Sequence, residues 1–254
     1  MSGARCACRE IRPDDRKALV SLWVRVFGDA PELVEAFLDL LPEMGTGVMA
    51  EENGELLGAA YLVDGFTLIS PDSAPKKCGY LYAVAVEERA RGKGIGGRLS
   101  QAAAEIGRKR GVELICTLPA EPSLYRWYAS VLSLHEVTHR VLYSSPVIPP
   151  AKLLSAEEYG RRREALLAGC CHVRLSSAAI RFQEELCLCY GGGFYAAGDG
   201  IFCACREGEG WRIPELLGPG GNPPAWDGLR AEEGPYLCSD LPFPDGFIWN
   251  LSFD

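Results

Sequence analysis

The stretch from Gly79 to Gly111 constrains the fold of this chain more than any other. It opens with Gly79–Val86, which is hydrophobic or small on both of its alternating faces. Such a segment predicts a strand in the middle of a sheet that is covered on both sides. The next apolar residues recur at helical spacing and predict an amphipathic helix that ends at Gly111: Ile95, Leu99, Ala102 and Ile106.

A glycine-rich turn joins the predicted strand to the predicted helix, with the sequence Arg91-Gly92-Lys93-Gly94-Ile95-Gly96-Gly97. Such a turn presents free backbone N–H groups and the positive end of the helix dipole, which favours a pyrophosphate. Gly92-x-Gly94-x-x-Gly97 also matches the dinucleotide fingerprint. However, five residues separate Val86 from Gly92, and no acidic residue ends the next strand before Pro119. A plain glycine-rich connector is the third alternative.

The pattern Arg91-x-x-Gly94-x-Gly96 after a Val-Ala-Val strand resembles the coenzyme A pyrophosphate loop of the GCN5-related N-acetyltransferases, the GNAT family. The predicted order β-α-α-β-β-β-α-β-α-β over about residues 5–145 is similar to that family's. The resemblance implies an α/β protein with a mixed α+β sheet, the acyl-CoA N-acyltransferase fold. It also implies that acetyl-CoA is the co-substrate, held by the backbone of Val84, Ala85 and Val86 and by Arg91, Gly92, Lys93, Gly94, Ile95, Gly96 and Gly97.

The same resemblance implies a proton donor for the departing thiolate. Leu124-Tyr125 resembles the family's Leu-Tyr pair, so Tyr125 is the predicted general acid and Tyr128, one turn on, is the fallback. The Gly-Phe that commonly follows the pair is replaced by Ala129-Ser130. No general base can be assigned among the candidates Glu87, Glu88, Glu121 and Tyr82, and the histidines at 135, 139 and 172 show no partner pattern.

A linker from Ser145 to Pro150 separates a predicted GNAT domain, residues 1–145, from a smaller α+β lobe, residues 146–254, whose layout resembles a partial second acetyltransferase domain. In this lobe the pattern predicts two capped helices, a hairpin across residues 198–200, a loop to about Pro235 and a final strand at 247–253. Two-lobed relatives use a terminal carboxylate as base. Asp254 is the matching candidate, and an exposed, uninvolved end is the alternative.

Composition narrows the remaining possibilities. The chain of 254 residues has a net charge of −8, which disfavours a nucleic acid partner, and it has no apolar run long enough to span a membrane. Its eleven cysteines are odd in number and favour apolar stretches, which predicts reduced, buried thiols in a cytoplasmic protein. The i, i+2 pairs at 6/8, 187/189 and 203/205 do not have the spacing that is usual for zinc. We expect no metal, and no catalytic role for Cys116.

Together these features predict an N-acetyltransferase that moves an acetyl group from acetyl-CoA directly to a primary amine. The acceptor is a small-molecule or protein amine that the sequence does not identify, and the oligomeric state is equally open. The alternative is a regulatory module that binds acyl-CoA without turnover. The missing Gly-Phe and the unassigned base keep this alternative open.

Overall fold

The computed structural model describes residues 7–244, 247–248 and 253. Over these residues the chain forms twelve β-strands, six α-helices and three short 3-10 turns. The strands and α-helices follow one another as β1 (Ala7–Glu10), α1 (Arg16–Phe27), α2 (Pro31–Met44), β2 (Gly45–Glu52), β3 (Glu55–Ser70), β4 (Ser73–Val86), α3 (Ile95–Lys109), β5 (Leu114–Thr117), α4 (Pro122–Leu132), β6 (His135–Ser145), β7 (Lys152–Leu154), α5 (Ala156–Leu166), β8 (His172–Leu175), α6 (Ser177–Cys189), β9 (Gly193–Ala197), β10 (Gly200–Glu207), β11 (Gly210–Leu217) and β12 (Arg230–Ser239).

The predicted mixed α/β fold is confirmed, and the predicted element order is present from β1 to β6. Local residues set several boundaries. The first helix ends at Gly28, whose φ of 81° is left-handed, and Pro31 opens the second helix. In the second lobe the side chains of Ser155 and Ser176 cap α5 and α6 by accepting bonds from the N–H groups of Glu158 and Ala179.

The strands form one sheet in the order β1-β2-β3-β4-β5-β12-β6-β11-β10-β9-β7, and β8 pairs with β3. Most neighbours are antiparallel, whereas β4 and β5 are parallel. A single sheet therefore crosses residue 145, the predicted boundary between the two lobes. The division into residues 1–145 and 146–254 stays a prediction.

The strand β4 lies in the middle of this sheet with both faces covered, as its apolar pattern predicts. On one face Tyr80 and Ala85 belong to the core that α1, α2 and α6 cover. On the other face Leu81 packs with Ile95 and Leu99 of α3. Because both ends of the Gly79–Gly111 stretch are anchored in these cores, the loop between them has a fixed position.

Two features of the second lobe differ from the prediction. The predicted loop to about Pro235 is wrong, because Arg230–Ser239 forms β12 between β5 and β6. The segment lacks a clear alternation and contains Gly234 and Pro235, and its long-range pairing overrides that weak local signal. The short strands β7 and β8 were also not predicted.

The predicted final strand lies largely outside the described residues, and so does Asp254. Of this segment, Ile248 forms an isolated parallel bridge with His172. The Phe253 side chain is 2% exposed and contacts the rings of Tyr82 and Phe182. Phe253 therefore lies against β4.

Candidate active site

The site begins where two parallel strands separate. The strands β4 and β5 pair from Cys78–Leu114 to Tyr80–Cys116, and no pairing between them continues beyond this point in the described residues. The hydroxyl of Thr117 donates to the carbonyl oxygen of Leu81 over 2.9 Å, in place of the next ladder bond. The following residues of β4 therefore face an open gap instead of a neighbouring strand.

A β-bulge in β4 lies at the same gap. The register with β3 passes from Tyr82–Tyr61 to Ala85–Ala59, so that two residues, Ala83 and Val84, lie opposite one. Ala83 has a φ of 47°, a left-handed conformation that is uncommon for alanine. Such strained backbone is frequent where a ligand contacts the main chain, so the bulge marks this part of β4 as a candidate binding surface.

The gap opens into a cavity of about 320 Å3. Its lining comes from α1, the α1–α2 turn, α2, β4, β5, the segment between β5 and α4, α4, α6 and β11, together with Phe253. Seven of the lining side chains are aromatic: Trp23, Phe27, Tyr80, Tyr82, Tyr128, Tyr190 and Phe253. The volume and the mainly apolar lining are those of a small-molecule site.

The glycine-rich loop lies at the end of β4 and leads directly into α3. Gly92 and Gly94 have φ values of 75° and 71°, and a Cβ atom added at either position meets nothing within 4 Å. No side chain among the described residues caps the N-terminus of α3. The first N–H groups of this helix therefore remain free to bind an anion beside the exposed cations Lys93 and Arg98.

These features can be compared with known proteins. The profile of the acetyltransferase (GNAT) domain matches residues 7–129. Residues 7–129 form a GNAT acetyltransferase domain. No curated protein sequence matches the chain significantly.

Solved structures share the fold over most of the chain. A GCN5-related N-acetyltransferase from Kribbella flavida has a TM-score of 0.65 and 14% identity, over 93% of this chain and 71% of that chain. A conserved protein of unknown function from Enterococcus faecalis, described as a probable N-acyltransferase, has a TM-score of 0.65 and 12% identity, over 92% and 72%. Eis1 from Mycobacterium abscessus has a TM-score of 0.59 and 16% identity, over 80% and 54%. At such low sequence identities, the structural similarity shows a shared fold.

The structure separates the two candidate tyrosines of the GNAT domain. The hydroxyl of Tyr125 accepts the N–H of Tyr236 in β12 over 3.0 Å, and its ring lines a second, shallow cleft. Tyr128 instead lines the cavity at the β4–β5 gap and is 6% exposed. Burial raises the pKa of Tyr128 to about 12, against the opposing effect of a hydrogen bond with Thr117. Tyr128 therefore keeps its proton at neutral pH. The general-acid role of Tyr125 stays a prediction that the geometry does not favour.

Most of the candidate general bases lie outside the cavity lining. Glu87 pairs with Arg25, Glu88 is exposed, and Glu121 accepts a bond from Ser123. Only Tyr82 lines the cavity, where its hydroxyl donates to the carbonyl oxygen of Phe253 over 2.6 Å. The geometry brings none of the three carboxylates into the cavity lining.

Two charged residues of the cavity were missed in the sequence. Asp29, in the α1–α2 turn, accepts bonds from the indole N–H of Trp23 over 2.7 Å and from the hydroxyl of Tyr190 over 3.2 Å. Arg212 of β11 lines the same cavity. In the sequence, the short Gly28-Asp29 break between two helices could have indicated Asp29 as a candidate. Only the tertiary structure brings Arg212 into the same cavity lining.

The remaining residues considered in the sequence lie outside the cavity lining or are fully buried. The nitrogen Nδ1 of buried His172 lies 2.9 Å from the carbonyl oxygen of Cys170, and Cys116 is fully buried, which raises the pKa of its thiol. Cys6 lies outside the described residues, and no disulfide bond joins two of the described cysteines. No group of metal-ligating side chains occurs among the described residues. No described helix is long and apolar enough to cross a membrane.

Proposed function

We propose that this protein transfers the acetyl group of acetyl-CoA to the primary amine of a small acceptor. The observation that carries the proposal is the gap between β4 and β5. It exposes bulged backbone at one end of a cavity, and it lies on the strand that leads into the uncapped N-terminus of α3.

In this proposal the chain holds the coenzyme at two places. The N–H groups of Gly92–Gly97, with Arg91 and Lys93 nearby, bind the pyrophosphate. The backbone of Val84, Ala85 and Val86 binds the pantetheine arm along the edge that β5 leaves open. Hydrogen bonds to a charged acceptor contribute about 1.5–3 kcal/mol each, so the loop dominates coenzyme affinity.

The reaction needs a nucleophile and one proton donor. The neutral amine nitrogen attacks the thioester carbonyl carbon, a C–N bond forms, and the C–S bond then breaks. The sulfur leaves as a thiolate and takes the phenolic proton of Tyr128, which water restores. The amine releases its own surplus proton to water.

The coenzyme site is tested by a pair of matched glycine variants. Gly94→Glu places a carboxylate beside the proposed pyrophosphate. Gly111→Glu adds the same charge at the other end of α3, at a glycine with a similar φ of 83° and equally open surroundings. Calorimetry should show at least a tenfold loss of acetyl-CoA affinity in the first variant and none in the second. Equal affinity in both folded variants contradicts the loop assignment.

Turnover is tested separately by release of free coenzyme A with a panel of amines. Release that depends on the amine supports the transferase. Tight binding of acetyl-CoA with no release from any amine instead supports the regulatory module.

A further inference from the structure

The cavity lining contains one carboxylate and one guanidinium among otherwise neutral described residues, Asp29 and Arg212. They come from distant parts of the chain, the α1–α2 turn and β11. Tyr190 at the end of α6 lies near both. Burial, followed by the charge of Asp29, raises the pKa of its hydroxyl, and Arg212 opposes this effect. The three residues form what we call the acceptor end of the cavity.

Neither charge at the acceptor end is neutralised by an ion pair within the described part of the chain. The carboxylate of Asp29 is bound by two neutral donors, the indole of Trp23 and the hydroxyl of Tyr190, one on each oxygen. These bonds fix the direction of the carboxylate and leave lone pairs on both oxygens. Arg212 interacts with the thiol of Cys205, which accepts only weak hydrogen bonds.

Asp29 and Arg212 are both partly exposed, so each can bind a ligand group of opposite charge. An acceptor with a single ammonium group matches Asp29 and leaves Arg212 unpaired. A diamine places a second positive charge near the guanidinium. An amino acid carries one group for each: an amine for Asp29 and a carboxylate for the planar donors of Arg212.

Building on the proposed function, we infer that the acceptor is a free α-amino acid with an apolar or aromatic side chain. Its carboxylate binds Arg212, its amino group enters beside Asp29, and its side chain contacts the exposed ring of Phe27 and the side chain of Leu186, which line the same end. Arg212 is thus a specificity-determining residue. A lysine side chain of a folded protein carries no carboxylate at this position.

The test compares amino acids with their own amides, which keep the side chain and the amine but lack the carboxylate. We choose L-phenylalanine, L-leucine and L-methionine with their three amides and add putrescine as a diamine. We expect the native protein to have its highest kcat/KM with one of the acids. Arg212→Gln should lower kcat/KM for that acid about 10- to 100-fold and leave its amide within about threefold.

Acids and amides differ in the pKa of their amines, which affects kcat/KM. This effect cancels when each variant is compared with the native protein on the same substrate. Arg212→Lys keeps the charge but loses the planar pair of donors, and it should retain part of the preference for the acid. Arg161→Gln, at an exposed arginine of α5 outside the cavity lining, is the matched control. It should leave kcat/KM unchanged for both the acid and its amide.

An equal loss with acid and amide in Arg212→Gln means that Arg212 acts only structurally, and it overturns the inference. A native preference for putrescine, or for every amide over its acid, also overturns it while the acetyl transfer itself stands. Absence of both acetyl-CoA binding and coenzyme A release with the whole panel overturns the proposed function and the inference together.

Discussion

At the scale of single residues, the surroundings of two positions on one short helix decide which tyrosine can serve the reaction. Tyr125 and Tyr128 are three residues apart on α4, about one helical turn, yet their side chains have different surroundings. Tyr125 contacts the backbone of β12, and Tyr128 faces the cavity beside Thr117. A motif match alone cannot distinguish two tyrosines that lie one helical turn apart.

Tyr128→Phe should lower kcat by roughly 100-fold while acetyl-CoA affinity stays nearly unchanged, because the ring remains and only the proton donor is lost. Tyr125→Phe is the matched control and should reduce kcat less than threefold. Steady-state kinetics and calorimetry on both variants provide the measurement. If the large loss of kcat belongs to Tyr125→Phe, the original prediction is right and the geometry of α4 changes on binding.

At the scale of elements, a buried ion pair fixes α5 to β11. The guanidinium of Arg163 lies 3.1 Å from a carboxylate oxygen of Glu215, and the hydroxyl of Tyr159 donates to the other oxygen over 2.8 Å. Arg163 and Glu215 are 1% and 0% exposed. Since Arg212 lies on the same strand as Glu215, this attachment also sets the position of the acceptor end.

Glu215→Gln should lower the free energy of unfolding by about 3 kcal/mol, because the buried guanidinium keeps only the partly exposed carboxylate of Glu164 as a counter-charge. Denaturant titration measures this change. The control is Glu158→Gln, which removes the carboxylate that pairs with Arg162 at the surface of the same helix and should leave stability unchanged within error. If the two substitutions lower the free energy of unfolding equally, the buried pair contributes no more to stability than the surface pair.

At the scale of the whole molecule, the sheet joins the two predicted lobes through the inserted strand β12 and through the pairs β6–β11 and β3–β8. The strand β12 pairs with β5 on one side and with β6 on the other. Without it, two strands of the first lobe would have unpaired edges. The inserted strand also provides the N–H group that binds Tyr125.

We therefore expect β5, β6 and β12 to open in a single cooperative step. Hydrogen exchange of the full chain, followed by mass spectrometry in increasing denaturant, should show the peptides of these three strands losing protection together. Loss of protection in β12 at lower denaturant than in β5 and β6 would instead support an independent domain at residues 1–145.

Much of the site follows from local sequence. The apolar strand, the glycine-rich loop and the helix after it are contiguous, so their periodicity, turn chemistry and phosphate-binding N–H groups can be predicted without knowing the rest of the chain. The same holds for the helix boundaries at Gly28 and Pro31. These features were sufficient for the resemblance to acetyltransferases and for the mixed α/β fold.

The acceptor end, the inserted strand and the choice of tyrosine were decided only by the tertiary structure. Asp29 and Tyr190 meet across 161 positions of sequence, and β12 enters the sheet through pairing with strands far earlier in the chain. Long-range contacts of this kind depend on how complete elements pack, and that packing overrides weak local preferences such as those of Gly234 and Pro235. The local pattern therefore determined where the coenzyme is expected to bind, and the packing of distant elements decided which residues face the acceptor.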